Sequence, residues 1–261
     1  MTALTGATLT DVGIDAVALK PTEVAVERAR GLAVDTVTID FEGREHVPDP
    51  ETLRTLAEEF EVRLTVPVRA DGFDPRGNQR HRQALPSVVR EVLVAGHQAY
   101  LDEDEQKRAV APRLSAAAAS ADDPWIGTEG IERLALAIGG TQFELLGPGT
   151  VSSVRALREA GVSDSIAVYA PVVLSTDEST VLDSVGEYAA RREPVRERLP
   201  EDAPRDSGAT GDARSELLRG CRAYGLVGGP ETVADRVERL RSAGVDRIVG
   251  YPARGLDPLL E

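Results

Sequence analysis

The sequence predicts an α/β fold built on parallel strands, with the length of a single (β/α)8, TIM-like barrel. Stretches with apolar residues every three or four positions alternate with short β-branched runs. Three strand–helix units already lie between Val12 and Val68, and their strands are mostly apolar, as expected where helices cover both faces of a sheet. The chain has 261 residues, which suits one barrel domain or two small domains.

The clearest helix–strand unit lies near the C terminus. The pair Gly228 and Gly229 precedes Pro230, and proline is tolerated in the first turn of a helix. Apolar residues then recur at helical spacing as far as Gly244, which is expected to end the helix. Residues 245–250 predict a short buried strand. The rest of the chain repeats this plan.

The other elements are predicted from the same signals. Strands are predicted at 12–19, 34–41, 62–68, 142–146 and 165–174. Helices are predicted at 21–32, 50–60, 85–100, 110–119, 130–138, 151–160, 213–224 and in a segment ending near Arg192. Residues 121–128, which carry Trp125, are predicted to form a loop. Six strands are placed in this way, so strands four and five of a complete barrel stay unplaced, with 93–96 and 131–138 ambiguous.

One segment breaks the alternation. Residues 196–215 combine acids with prolines and glycines and have few apolar side chains. This composition predicts a mobile acidic surface insertion. We therefore expect one domain over residues 1–261 with this insertion inside it.

The amino-acid composition indicates the source of the protein and limits its expected binding partners. The formal net charge is −14, and 28 of the 30 basic residues are arginine, since only Lys20 and Lys107 are lysine. Such acid-rich, lysine-poor chains are typical of proteins that stay soluble in high salt, which predicts a halophilic, archaeal, cytoplasmic protein. Nucleic acid is not expected as a partner, because its binding depends on a basic face.

Cysteine and histidine usage argues against a metal site. Cys221 is the single cysteine, and His46, His81 and His97 lack the spacing of metal ligands. No apolar run reaches the roughly 20 residues needed to span a bilayer, and the N terminus lacks the features of a signal peptide. We expect neither a metal ion nor a membrane partner.

The C-terminal unit also resembles a known family. Gly-Pro-Glu at 229–231, a helix, Ala-Gly-Val-Asp at 243–246 and an apolar strand are similar to the C-terminal signature of the luciferase-like superfamily. Residues 31–40, 53–69 and 168–195 resemble earlier segments of that family. The chain is identified as a short, divergent haloarchaeal member. The resemblance implies a (β/α)8 barrel, complete or degenerate, that uses the deazaflavin coenzyme F420 or FMN.

Two groups of residues are candidates for the site, because barrel enzymes place their sites at the C-terminal ends of the strands. Asp40 follows the second strand and is the candidate catalytic residue, the polar group nearest the reacting ring. Residues 62–90 hold six arginines against two aspartates, a local charge of +4. Arg69, Arg76 and Arg80 are the candidates to clamp the coenzyme's anionic arm. Alternatively, these arginines balance acids on neighbouring helices or on a second subunit.

Glycine turns form the other group. Gly147, Gly149 and Thr150 lie between a predicted strand and a helix, as Gly228 and Gly229 do later in the chain. The free N–H groups at a helix N terminus bind anions, so both turns are candidate cofactor-binding sites. Glycines are also ordinary turn residues, and that interpretation stays open.

Three functions follow from these patterns. The first is a flavin- or deazaflavin-dependent oxidoreductase that transfers hydride to or from a small molecule. The Leu-Ser-x-Gly-Arg turn that family members carry is not found near residues 90–115, which motivates the second: a degenerate barrel without coenzyme, acting as a binding or regulatory protein and as a homo-oligomer. The third is a non-redox barrel enzyme that acts on a phosphorylated small molecule.

Overall fold

Nine strands alternate with helices along the chain. The computed structural model describes residues 9–260, with side chains described up to residue 258, so residues 1–8 and 261 of the predicted domain lie outside the described part. The strands are β1 (Ala16–Leu19), β2 (Thr36–Ile39), β3 (Glu61–Pro67), β4 (Arg90–Val94), β5 (Trp125–Gly127), β6 (Thr141–Leu145), β7 (Ile166–Leu174), β8 (Leu226–Gly228) and β9 (Arg247–Pro252).

The strands form one sheet in the order β6-β5-β4-β3-β2-β1-β9-β7-β8, and β6 also pairs with β7. The pairing closes eight strands into a ring, with β8 beside β7. The neighbours in β1 to β6 pair in parallel, and so do β7 and β8. The predicted fold class, a (β/α)8 TIM-like barrel, is therefore confirmed.

The helices cover the sheet. They are α1 (Pro50–Leu56), α2 (Arg80–Gln83), α3 (Glu103–Gln106), α4 (Val110–Ser120), α5 (Glu132–Ile138), α6 (Thr150–Glu159), α7 (Glu178–Ala190), α8 (Glu193–Arg196), α9 (Gly211–Tyr224), α10 (Pro230–Ala243) and α11 (Asp257–Leu260). Short 3-10 helices occupy Thr10–Val12, Val26–Gly31, Arg44–His46 and Gln98–Tyr100. In the described part of the chain no helix is both long and apolar enough to cross a membrane.

Three predicted elements are corrected. The helix predicted at 85–100 is wrong, because this segment contains β4, whose Val92 and Leu93 are fully buried. The loop predicted at 121–128 contains β5, which is only three residues long. The helix predicted at 21–32 is limited to the 3-10 helix Val26–Gly31. Short apolar runs fit a strand or a helix equally well, so their periodicity could not decide.

By its contacts the chain divides into two compact units, and the prediction of one domain stays a prediction. The first unit, Ala16–Glu144 with Ser163–Ala167, contains β1 to β5, β6 except its last residue, and the first two residues of β7. Helices α4 and α5 bury Leu114 and Ala135 against Leu93 and Ile126 on one face of these strands. Arg63 and Val66 are three positions apart on β3, so their side chains lie on opposite faces of the strand. Arg63 therefore lies on the face away from these helices.

The second unit comprises residues 9–15, 145–162 and 168–260. Its helices α7 and α9 pack around a core that includes Leu182, Val185 and Leu217. Residues 155–162 and 239–245 have similar sequences, and an arginine at the same position of each makes similar contacts. Arg158 near the end of α6 donates to the Gly244 carbonyl and to Asp246, and Arg241 near the end of α10 donates to the Gly13 carbonyl and to Asp15.

Part of the predicted acidic insertion packs on α7. The Ser207 N–H donates to Asp183 at 2.9 Å, and a Cβ on Gly186 would collide with the Arg205 carbonyl. Ala209 is buried. These contacts fix where the segment lies, and its mobility stays a prediction.

The Asp183 contact is expected to depend on pH. Hydrogen bonds from the hydroxyl and the N–H of Ser207 lower the pKa of Asp183 in the folded protein. Because the folded pKa lies below the unfolded one, the stabilisation is present above the unfolded pKa and disappears as the pH falls through the folded pKa. An Asp183→Ala variant should therefore melt below the wild type at about pH 7, and the difference should shrink at about pH 3. Thermal unfolding followed by circular dichroism at both pH values measures this. An equal difference at both would contradict it.

Candidate functional site

A cavity of about 830 Å³ lies in the second unit where β6, β7 and β8 end. The turns after these strands contribute Gly147, Ser175, Thr176, Gly228 and Gly229 to its lining. The structure thus brings the two predicted glycine turns together at one cavity. Its volume is within the range of small-molecule sites, roughly 300–1,000 Å³.

Both turns lead into helices whose first amides have no side-chain cap. Gly149 is the N cap of α6 and Gly229 is the N cap of α10, and at neither cap does a side chain accept from the first N–H groups of the helix. Thr150 is buried, and its hydroxyl accepts from the Gly147 N–H at 2.9 Å, which fixes the first turn. These helix ends leave backbone N–H groups that suit an anion.

In the second turn, Gly228 and Gly229 have little space around them for a side chain. Gly228 has φ +133°, and a Cβ built on it would lie 3.1 Å from Thr232. A Cβ on Gly229 would lie 3.3 Å from the Thr176 methyl carbon. Any larger residue would fill the space in front of the backbone, so the turn fits the close approach of an anionic group.

The cavity is strongly positive. Its lining contains a single carboxylate, Glu178, against four arginines: Arg155, Arg222, Arg236 and Arg239. Arg222 donates to Glu178 at 2.9 Å. The other three arginines leave an uncompensated positive charge, which favours anionic ligands over neutral ones.

Arg236 has a structural task. Its guanidinium donates to the carbonyls of Arg222, Ala223 and Gly225, and so satisfies the C-terminal end of α9. Burial, and next the charge of Arg239, lower the pKa of Arg236 to about 10. Arg236 therefore shapes the cavity wall and contributes charge, while its donors are largely used.

The sequence analysis did not find the cavity arginines. Arg155 and Arg239 lie on different helices, α6 and α10, and nothing in their local pattern differs from a solvated helix face. The available signal was the similarity between residues 155–162 and 239–245, which begin at these two arginines; it fits repeated αβ units but is too short to establish a duplication. Only the packing of the helices shows that both side chains line one cavity.

The first unit holds the other predicted residues. Asp40 follows β2, is partly buried, and its N–H donates to the Leu19 carbonyl at 2.8 Å. Arg69 follows β3, and its guanidinium donates to the carbonyls of Ala95, Gly96 and Gln106 at 2.7–2.9 Å. Burial lowers the pKa of Arg69. Its main work in this structure is to join the loop after β3 to the segment after β4.

Arg76 is exposed on the loop that follows Arg69, and Arg80 is exposed where that loop enters α2. That loop is anchored by Asp74, a buried carboxylate that accepts from Arg108 at 3.3 Å and Arg113 at 2.8 Å. Of the remaining arginines between 62 and 90, three pair with carboxylates: Arg63, Arg82 and Arg90. The alternative that these arginines balance nearby acids therefore holds for Arg63, Arg82 and Arg90, while Arg76 and Arg80 keep exposed guanidinium groups. Within residues 9–258, no three His, Cys, Asp or Glu side chains group as metal ligands.

Solved structures show the same fold at low sequence identity. An F420-dependent secondary alcohol dehydrogenase in complex with an F420–acetone adduct aligns with a TM-score of 0.62 and 11% identity, covering 92% of this chain and 93% of that one. Apo-MsnO8 aligns with a TM-score of 0.58 and 13% identity, covering 95% and 96%. EDTA monooxygenase (EmoA) from Chelativorans sp. BNC1 aligns with a TM-score of 0.53 and 13% identity, covering 92% and 84%. The luciferase-like resemblance is therefore supported at the level of fold.

Comparison of sequences gives a family without an assigned function. No curated protein matches the chain. A family model matches residues 9–259, which is almost the whole chain, under the description "Family of unknown function (DUF7388)". The protein therefore belongs to this family of unknown function, DUF7388.

Proposed function

We propose that this protein is an oxidoreductase that binds coenzyme F420 or FMN and transfers hydride to or from a small organic molecule. The observation that carries the proposal is the positive cavity that joins the glycine turns of Gly147 and Gly228–Gly229. The similar structures support it, since one is an F420-dependent dehydrogenase and another a monooxygenase, and both align over more than nine-tenths of this chain.

The residues present fit the anionic arm of such a coenzyme. Gly147, Gly149 and Thr150 would present the first amides of α6, and Gly228 with Gly229 those of α10. The lining arginines would neutralise the bound charge. When bound, the coenzyme supplies the hydride-accepting or hydride-donating ring. The protein then has to orient the arm and keep water from the reacting atoms.

Residues of the first unit have separate tasks in this proposal. Asp40, at the end of β2, is the group that would hold or move a proton beside the substrate. Arg76 and Arg80 would attract the anionic ligand through their exposed charges. Arg69 would act as a positioning residue, because its guanidinium already donates to three carbonyls.

The direct experiment is a binding titration. Purified protein is mixed with FMN and, separately, with F420, and the fluorescence change of each coenzyme is followed. We expect saturable binding of one of the two. If neither binds at concentrations well above those of typical coenzyme sites, the oxidoreductase proposal fails.

Filling the α10 turn should weaken that binding. Gly229 has φ −64° and ψ 160°, so valine fits the backbone, but its side chain would occupy the space beside Thr176. We expect Gly229→Val to weaken coenzyme binding by about 10-fold or more, since one lost charged contact costs about that factor. Ala109→Val is the matched control, because Ala109 is the N cap of α4 with φ −63° and lies outside the cavity lining. Equal affinity in both variants would exclude this turn from the coenzyme site.

A second candidate is a non-redox enzyme for a phosphorylated small molecule. It is favoured by the position of the lining arginines on helices around the glycine turns, because a phosphate group alone could pair with these arginines and with the N–H groups of the turns. Binding of a simple phosphate ester by a protein that binds neither coenzyme would select this candidate.

A further inference from the structure

The cavity continues beyond the glycine turns along the contact between α6 and α10. Its lining there includes Arg155 of α6 together with Arg239 and Ser242 of α10. Arg158 joins the two helices, donating to the Gly244 carbonyl at 3.0 Å through Nε and at 2.8 Å through a terminal nitrogen. The two walls are therefore held together independently of any ligand.

Neither Arg155 nor Arg239 is paired with a carboxylate in the described part of the chain. Arg239 has one weak contact, to the Asp235 carbonyl of its own helix at 3.3 Å, and both side chains are exposed. The single lining carboxylate, Glu178, lies within ion-pair distance of Arg222 and Arg214, at 2.9 and 3.9 Å. Two cations thus face one groove without a protein counter-ion.

The groove contrasts with the overall charge of the chain, which is −14. The chain has 44 acidic against 30 basic residues, yet the cavity lining contains four arginines and one carboxylate, Glu178. Like charges also crowd the same wall, because Arg239 contributes to lowering the pKa of Arg236. Repulsion between unpaired cations costs free energy, and a bound anion with several charges would remove that cost.

We propose that the groove between α6 and α10 binds a small polyanion, with Arg155 and Arg239 as its two charged contacts and Thr232 as a hydroxyl donor. Guanidinium groups on two rigid helices suit a ligand with at least two anionic groups, because each can hold one of them by paired hydrogen bonds. Oligophosphates and tricarboxylates share this chemistry. Arg155 and Arg239 also belong to the lining whose charge the coenzyme proposal uses. The polyanion is therefore titrated without coenzyme, and loss of polyanion binding with retained coenzyme binding in the same variant separates the two proposals.

Calorimetric titration in dilute buffer tests the proposal with two probes, tripolyphosphate and citrate. We expect the wild-type protein to bind at least one of them, and the preferred probe to distinguish a phosphate ligand from a carboxylate ligand. Arg155→Gln with Arg239→Gln should weaken binding about 100-fold, with each arginine contributing about 10-fold. Arg239→Lys, which keeps the charge, should retain more affinity than Arg239→Gln.

The matched control is Arg133→Gln. Arg133 is an exposed arginine on α5 that lies outside the cavity lining, so its replacement lowers the net charge as much as Arg239→Gln alone and should leave affinity unchanged. Melting temperatures check that every variant is folded. The proposal is overturned if the wild type binds neither probe, if the double glutamine variant binds like the wild type, or if the control loses as much affinity. Coenzyme titration of the double variant is scored separately.

Discussion

Replacing Glu105 with alanine is expected to lower the free energy of unfolding by about 3 kcal/mol, because it removes a fully buried carboxylate that has three partners. The Glu105 side chain is 0% exposed and accepts from Arg44, from the Asp71 N–H at 2.6 Å and from the Asp102 N–H at 2.9 Å. These partners lie in the segments after β2, after β3 and before α3. Alanine would leave two backbone donors unsatisfied and would remove the ion pair of Arg44, which keeps its hydrogen bond to the Asp71 carbonyl.

Two further variants make the Glu105 expectation specific. Glu105→Gln keeps the shape and one acceptor oxygen, so its cost should be roughly half that of alanine. Glu103→Ala removes an exposed carboxylate from the same helix and should be nearly neutral. Urea unfolding of the three variants measures the order. If Glu105→Ala were no more destabilising than Glu103→Ala, this carboxylate would not be holding the three segments together.

The Glu105 contact also bears on the proposed function. It fixes the backbone at Asp71, two residues after Arg69 and in the loop that carries Arg76 and Arg80. A loop held this way keeps the exposed arginines in one place, which lowers the ordering cost when an anion binds. Weaker coenzyme binding in Glu105→Gln, with the protein still folded, would follow from the same cause.

The sequence predicted elements well where local chemistry decides them. Gly229, Pro230 and Gly244 bound α10 as expected, with Gly244 at φ +109°. The β4 strand was missed because Arg90 and Glu91 flank only three apolar residues, a run that fits a helix as well as a strand. Its strand conformation depends on pairing with β3 and β5, which is a tertiary property.

The same division holds for the candidate site. The position of the two glycine turns at one cavity was predictable, because the carboxyl ends of neighbouring parallel strands lie at the same end of a barrel. That these turns bind an anion stays a prediction. The role of Arg69 was not, since its acceptors, the carbonyls of Ala95, Gly96 and Gln106, lie 26 to 37 residues away. The cavity arginines were not predictable either, because Arg155 and Arg239 meet only through helix packing.

The second large effect on the free energy of unfolding is expected around Arg63, the buried arginine of β3. Arg63 is 2% exposed, donates to Glu61 at 2.5 Å and to Asp123 at 2.9 Å, and its guanidinium carbon lies 4.3 Å from the ring centre of Trp125. Its carboxylate partners are 33% and 57% exposed, so they can be hydrated without it. The cation itself has no such alternative. The free-energy cost should therefore depend on which partner is removed.

We expect Arg63→Met to lower the free energy of unfolding by about 1 kcal/mol, because it leaves two acids that water can hydrate and an apolar side chain against Trp125. The double variant Glu61→Gln with Asp123→Asn should lower it by about 3 kcal/mol, because it leaves a buried cation without a counter-ion. Asparagine is chosen because residue 123 has φ +45°. Adding Arg63→Met to the double variant should recover most of the loss. Urea unfolding followed by the fluorescence of Trp125, the single tryptophan, measures all three. A double variant more stable than Arg63→Met would show that hydrogen bonding to the Asp123 carbonyl and stacking on Trp125 suffice to hold the charge.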